Sequence, residues 1–173
     1  MSGKRQIPNE RAQNTAAVIA PDTYRVLAHR PGFLIRRLHQ IHLALFAEAC
    51  GVFGVTPVQY SILTVAVAQP GLDQAALANE VGVDRTTMAD VLARLERRGL
   101  VRRGRVARDA RLKLVHATVA GRRLLARMDR HARTAHERTI APLPPAERAA
   151  FVDALVRLVE AGNGLGRAPL RLA

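Results

Sequence analysis

Apolar residues recur along most of this chain at spacings of three and four, and proline and glycine punctuate the stretches between them. Residues 1 to about 20 hold no sustained period and mix Gly, Pro, Asn and Gln with charge, so they read as a mobile arm. From Pro21 the period turns helical, and a short helix is expected over 22–29 before Pro31-Gly32 breaks it. A long helix over 32–49 follows, with Phe33, Leu34, Leu38, Ile41, Leu45 and Ala49 near one stripe, and Gly51 ends it. Val55-Thr56-Pro57 supplies a staple residue, an N-cap and a proline at the first helical position, which starts a helix over 57–68 that stops before Pro70.

The next segment holds two helices only about three residues apart. Leu72-Asp73 is expected to open the first, QAALANEV, which Gly82 terminates; Asp84 caps the second, RTTMADVLARLERR, which Gly99 closes. Two helices joined by a tight glycine-containing turn match the helix-turn-helix unit. Beyond Gly99, LVRRGRV and RLKLVHAT alternate apolar and basic residues on either side of ARDA, the pattern of a two-stranded hairpin, here a wing. Thr118 then caps a helix over 119–139 whose apolar stripe is Leu124, Leu125, Met128, Ala132 and Ala135. Arg122, Arg123, Arg127, Arg130 and Arg133 fall outside that stripe and read as a solvated face. Prolines 142, 144 and 145 break the chain, and a last helix over 146–161 carries Phe151, Leu155 and Leu158 on one face ahead of a Gly-rich tail. The fold class is therefore mostly α with a small β-hairpin wing.

On the second helix of the pair, Met88, Val91, Leu92 and Leu95 fall at i, i+3, i+4 and i+7 and form a complete apolar seam that must be buried. The opposite side carries Thr86, Asp90, Ala93 and Arg97, flanked by Ala89 and Arg94, with Arg85 and Thr87 in the first turn. Small residues let such a helix approach closely, and Thr, Asp and Arg offer distinct donor and acceptor patterns to base edges in a major groove. The first turn is also expected to aim unpaired backbone N–H groups at phosphate. Arg102, Arg103, Arg105, Arg108 and Arg111, on or beside the hairpin, extend the expected contact to flanking phosphates or a minor groove, with Arg105 and Arg108 nearest the tip. Asp109 and Arg111 are placed to pair across the turn and hold the wing's shape. Asp90 is placed either to accept from cytosine N4 or to pair with Arg94 one turn later, and the ion pair is the preferred reading.

Composition narrows the partner. The balance of 27 basic against 14 acidic side chains, a net charge of +13, calls for a polyanion: nucleic acid first, an anionic membrane surface second. At 49% hydrophobic the chain is too apolar for its charge to keep it unfolded. Only 3% is aromatic, too little for a sheet of base-stacking rings, which turns the reading toward duplex DNA. The single cysteine, Cys50, forbids an internal disulfide and a Cys-rich zinc module, and fits a reducing compartment such as the cytoplasm. His39 and His42 with the distant Cys50 do not complete a zinc set. No apolar run approaches a membrane span, and no glycine-rich phosphate loop, nucleophile elbow or carboxylate pair marks an enzyme, so no cofactor is expected.

The stretches "VTPVQYSIL" (55–63), "LDQAALANEVGVDRTTMADVLARLERRGLVRR" (72–103) and "RDARLKLVHAT" (108–118), with Gly121, resemble the MarR family of winged-helix transcriptional regulators over Pro31 to Met128. The resemblance implies a homodimer whose terminal helices interlock, with reading helices in successive major grooves of double-stranded DNA. It divides the chain into a winged helix-turn-helix domain over 55–118, a dimerisation region over 21–54 and 119–165, the arm over 1–20 and a tail over 166–173. It places base contacts on Arg85, Thr86 and Thr87, and it matches Asp109 and Arg111 to the family's acidic-x-arginine pair. The chain departs from the family at Asp90, where many relatives are basic, and in the wing sequence "VARDAR". Members are often repressors released from DNA by small aromatic or phenolic acids, and "RPGFLIRRLHQIHLALF" is similar to relatives that control aromatic catabolism. Candidate effector residues are then Arg36, Arg37, His39, His42 and Tyr60. Two other readings stay open: a redox-sensing regulator acting through Cys50, and a sequence-neutral architectural DNA protein.

Overall fold

The computed structural model describes residues 26–106 and 109–165, and the side chains of 26–104 and 114–165. The expected arm, the tail, the start of the helix expected over 22–29, and the side chains of Arg105, Arg108, Asp109 and Arg111 lie outside the described residues. The chain divides into two compact units, residues 1–37 and 38–173. In the first, a turn in which His29 and Arg30 donate backbone N–H groups to the carbonyls of Val26 and Leu27 leads into the start of helix α1 (Pro31–Cys50).

The second unit begins within α1. After a single 3-10 turn (Gly51–Phe53), α2 (Pro57–Ala68) starts on a reciprocal cap: the Thr56 hydroxyl accepts from Gln59 N–H while the Gln59 side chain accepts from Thr56 N–H. Then come α3 (Gln74–Val81), α4 (Arg85–Arg97), α5 (Val119–Ile140) and α6 (Pro145–Gly162). Gly82 and Gly99, at φ +70° and +66°, adopt the left-handed conformation in which the chain leaves α3 and α4.

The wing is β2 (Val101–Val106) and β3 (Asp109–Ala117), antiparallel, with Val101 opposite Ala117, Arg103 opposite Val115 and an irregularity between Arg105 and Val106. A two-residue strand, β1 (Leu72–Asp73), pairs with the other side of β3, giving the order β1-β3-β2. Leu72-Asp73 opens α3 as expected, with Asp73 the N-cap accepting from Ala75 and Ala76 N–H at 2.7 and 2.9 Å. The pairing of the same two residues with β3, beside a bond from Gly71 N–H to the Val115 carbonyl, was not expected.

Two apolar clusters build the second unit. The larger gathers Ile62, Leu63, Leu77, Met88, Leu92, Leu95, Val101 and Val115, so α2, α3, α4 and the wing share one core. The other joins Phe46 and Cys50 of α1 to Val55 and to Met128, Ala132 and Ala135 of α5, and Leu124 packs against both. The stripe expected on α1 is partly wrong. Leu34 and Ile41 are 49% and 50% exposed, and within the second unit the buried positions are Phe46 and Cys50, because α5 meets α1 along that line. On α6, Phe151 and Leu155 are half-buried as expected, but Leu158 is 64% exposed.

Candidate nucleic-acid interface

Helix α4 is seated as its periodicity demands: Met88, Leu92 and Leu95 are fully buried and Val91 half-buried. Burying such a side chain stabilises the fold by roughly 1.5–3 kcal/mol each, so the helix cannot roll to show another face. What remains outward is Arg85, Thr86, Asp90, Arg94 and Arg97, all exposed, with the small Ala89 and Ala93 half-buried between them. That surface offers guanidinium forks, a hydroxyl and a carboxylate on a face smooth enough to enter a groove.

The first turn corrects the expectation of free backbone donors. Asp84 Oδ1 accepts from Thr86 N–H at 3.0 Å and Thr87 N–H at 2.9 Å, and its Oδ2 accepts from the Thr87 hydroxyl at 2.6 Å. The Thr87 hydroxyl and these N–H bonds hold the Asp84 carboxyl below its ordinary pKa. The N–H groups of Thr86 and Thr87 are therefore taken, Thr87 is tied into the cap, and the side chains of Arg85 and Thr86 have no hydrogen-bond or ion-pair partner among the described residues. The preferred Asp90 to Arg94 pair does not form among the described residues either. The Asp90 carboxylate stands exposed without it.

At the root of the wing, Arg103 has a different engagement from the one expected. Its side chain donates to Glu96 Oε2 through Nε at 2.8 Å and through Nη2, and its backbone N–H donates to Glu96 Oε1 at 3.1 Å. Arg103 thus braces the wing against α4, while Arg102 beside it is exposed. The junction behind α4 is equally tight. The Thr118 hydroxyl donates toward the carbonyls of Gly99 and Leu100 and caps α5 by accepting from Gly121 N–H. Gly121 is there because a Cβ would run into the Leu100 carbonyl and stand 3.1 Å from Leu63 Cδ1.

The expected effector residues fall in several settings. Arg36 and Arg37, both exposed, belong to the first unit. In the second, His39 is exposed, whereas His42 is half-buried and stacks on His136 with ring centroids 4.8 Å apart. His42 Nδ1 lies 2.9 Å from Thr139 Oγ1, whose own proton goes to the Ala135 carbonyl at 2.8 Å. The hydroxyl must then accept, so His42 carries its proton on Nδ1 and leaves Nε2 with the lone pair. Burial first, then the neighbouring charges of His136 and His39, pushes the His42 pKa down. Tyr60 lies edge-on to Phe46 at 5.8 Å, and burial raises its phenol pKa. His42 and His136 border a cavity of about 480 Å³ between α1, α5 and α6, whose lining includes the apolar Leu38, Ile140, Phe151 and Leu155 and the polar Glu137 and Thr139. Cys50 is fully buried, and burial raises its thiol pKa, which disfavours the thiolate that redox chemistry needs.

Three arginines on α5 that read as solvated have specific partners: Arg122 donates to the Ala117 carbonyl at 2.8 Å, Arg127 lies 5.6 Å from the centroid of the Phe53 ring, and Arg133 pairs with Asp129 at 2.7 Å. No single helix among the described residues is long and apolar enough to cross a membrane.

A model described as MarR family matches residues 53–112, the stretch that contains α2, the helix pair and the start of the wing. A putative transcriptional regulatory protein for the hcr operon of Thauera aromatica is 35% identical over 133 residues, covering 76% of this chain and 80% of that protein. The PcaV transcriptional regulator of Streptomyces coelicolor, solved in complex with its natural ligand, is 37% identical with a TM-score of 0.69, covering 79% of this chain and 96% of that one. Bordetella bronchiseptica BpsR, whose DNA binding is regulated by 6-hydroxynicotinic acid, is 29% identical with a TM-score of 0.72, covering 76% of this chain and 94% of that one.

Proposed function

This chain belongs to the MarR family of transcriptional regulators, and from that premise we propose that it is a homodimeric repressor that reads a pseudo-palindromic operator and is released from it by a small aromatic or phenolic acid. The observation that carries the DNA reading is the division of α4 into a buried seam and an outward face of Arg85, Thr86, Asp90, Arg94 and Arg97. Arg85, Arg94 and Arg97 supply forks for guanine O6 and N7, and Asp90 can accept from cytosine N4. Arg105, Arg108 and Arg111 of the wing neutralise flanking phosphate, with Asp109 holding Arg111 in place. Arg103 and Thr87 act from behind, one fixing the wing and the other the first turn of the reading helix.

Residues 55–118 form the reading domain in this account, and 21–54 with 119–165 join two copies. The exposed apolar side chains of Ile41, Val152, Leu158 and Val159 on α1 and α6 support that division, since water-facing aliphatic residues on long helices favour burial against another copy. For the effector, Arg36 and Arg37 supply cations for a carboxylate, and His39, His42 and Tyr60 supply polar groups for ring substituents. BpsR, whose DNA binding responds to an aromatic acid, supports this class of ligand.

Selection of bound genomic fragments followed by footprinting tests the proposal. A reader of this kind protects two half-sites about 10 bp apart and keeps them in the presence of competitor DNA. A sequence-neutral architectural protein protects no defined pair. Aromatic acids added at saturation should weaken operator binding and shift the melting temperature; if neither changes, those compounds are not the effector.

A further inference from the structure

Arg98, the residue that ends α4, does not join the outward face of that helix. Its guanidinium turns back across forty-four positions of sequence to the end of the 3-10 turn between α1 and α2, where Nη1 donates to the Gly54 carbonyl and Nη2 to the Phe53 carbonyl at 3.0 Å. Gly54 stands at φ +60° and closes the turn through its N–H to the Gly51 carbonyl, so the two carbonyls are presented by a fixed backbone. The Phe53 side chain is held in turn. Its ring lies edge-on to His131 of α5 at 5.3 Å, the Arg127 guanidinium carbon sits 5.6 Å from its centroid, and it packs against the core cluster shared by α1 and α5. Arg98 therefore links the end of the reading helix to the cluster that α1 and α5 share, through a planar fork that a single ammonium cannot copy.

We infer that Arg98 is a positioning residue for DNA reading, which fixes the angle at which α4 is carried by the α1 and α5 helices and thereby the half-site separation the protein accepts. This rests on the dimeric reader proposed above. In such a dimer the separation of the two reading helices follows from how each is mounted on its own α1 and α5, and the Arg98 fork is a polar strut in that mounting. The obvious rival role for an exposed arginine beside a DNA-binding face is a direct phosphate contact, and the two roles differ in what they change. A phosphate contact contributes to the salt dependence of binding, whereas a strut contributes to geometry.

The test measures equilibrium binding of wild type, Arg98→Ala and Arg98→Lys to operators whose half-sites are about 9, 10 and 11 bp apart, each over a range of salt, with melting curves for all three proteins. Wild type should prefer one spacing. Both variants should bind that spacing roughly tenfold more weakly and discriminate less among the three, with the slope of log K against log salt unchanged. Arg98→Lys, which keeps the charge, should resemble Arg98→Ala. An unaltered spacing preference with the Arg98→Ala slope reduced by about one contact overturns the proposal in favour of a phosphate contact. If Arg98→Lys binds like wild type at every spacing, or fails to fold, the fork is not a positioning device. Wild type binding all sequences alike would defeat the dimeric reader itself, and this inference with it.

Discussion

Arg85 and Arg97 stand at the two ends of the outward face of α4, both exposed and neither paired among the described residues. Replacing either by Ala should relax base preference at one operator position by about 1–3 kcal/mol while leaving the melting temperature near that of wild type. A binding screen against single-base operator variants reads this directly, and an equal loss on every sequence would contradict a base contact. Their neighbours behave differently. Arg98 and Arg103 sit in the same run of arginines, yet their guanidinium groups are satisfied by Phe53, Gly54 and Glu96. Charge patterning locates the run but cannot sort its members, because the Arg98 partners lie about forty-four residues away in the chain. The Asp84 cap was legible from its position; what the pattern left out is that a good cap consumes the donors otherwise open to phosphate. His42 gives a pH prediction at this same scale. Its pKa lies below the ordinary imidazole value of 6.5, so it resists protonation in the folded protein. The unfolded chain then binds more protons as pH falls, and the stability His42 contributes, present above about pH 6.5, is lost through its lowered folded value. Melting temperature should drop between about pH 7.5 and about pH 5.5 by more in wild type than in His42→Asn. An equal drop in both removes His42 from the account.

Among the elements, α2 through α4 were legible because their caps, terminating glycines and apolar period all agree. Strand β1 was not. Two residues carry no alternation, and Leu72-Asp73 becomes a strand only because β3, over forty residues later, offers Val115 and Leu114 as partners. The exposed part of the α1 stripe failed for a related reason: an amphipathic period shows that a helix has an apolar face, not which neighbour takes which part of it. The junction of α4 with α5 makes a sharper element-scale prediction. Gly121 lies against the Leu100 carbonyl with no room for a Cβ, so Gly121→Ala must push α5 away from the end of α4. Overpacking of this kind costs about 1–3 kcal/mol. Urea unfolding should show the unfolding free energy reduced by that amount, seen as a lower midpoint at an unchanged slope, and a variant as stable as wild type would mean that the helices are free to part.

For the whole molecule, the architecture separates two duties. The larger apolar cluster holds α4 and the wing in one piece, and the second ties α1 to α5, with Leu124, the Thr118 cap and the Arg98 fork between them. A ligand bound near α1 and α5 can alter DNA binding only through its different affinity for two arrangements of these parts, and those links are where such arrangements would differ. Net charge of +13 supplies attraction to any duplex, so affinity alone says little about reading. If the outward face of α4 reads sequence, the affinities for a selected operator and a scrambled duplex of equal length, measured at one fixed salt concentration, should differ by a ratio of at least about 10³. A ratio near one would leave the charge intact and the reading helix without a role.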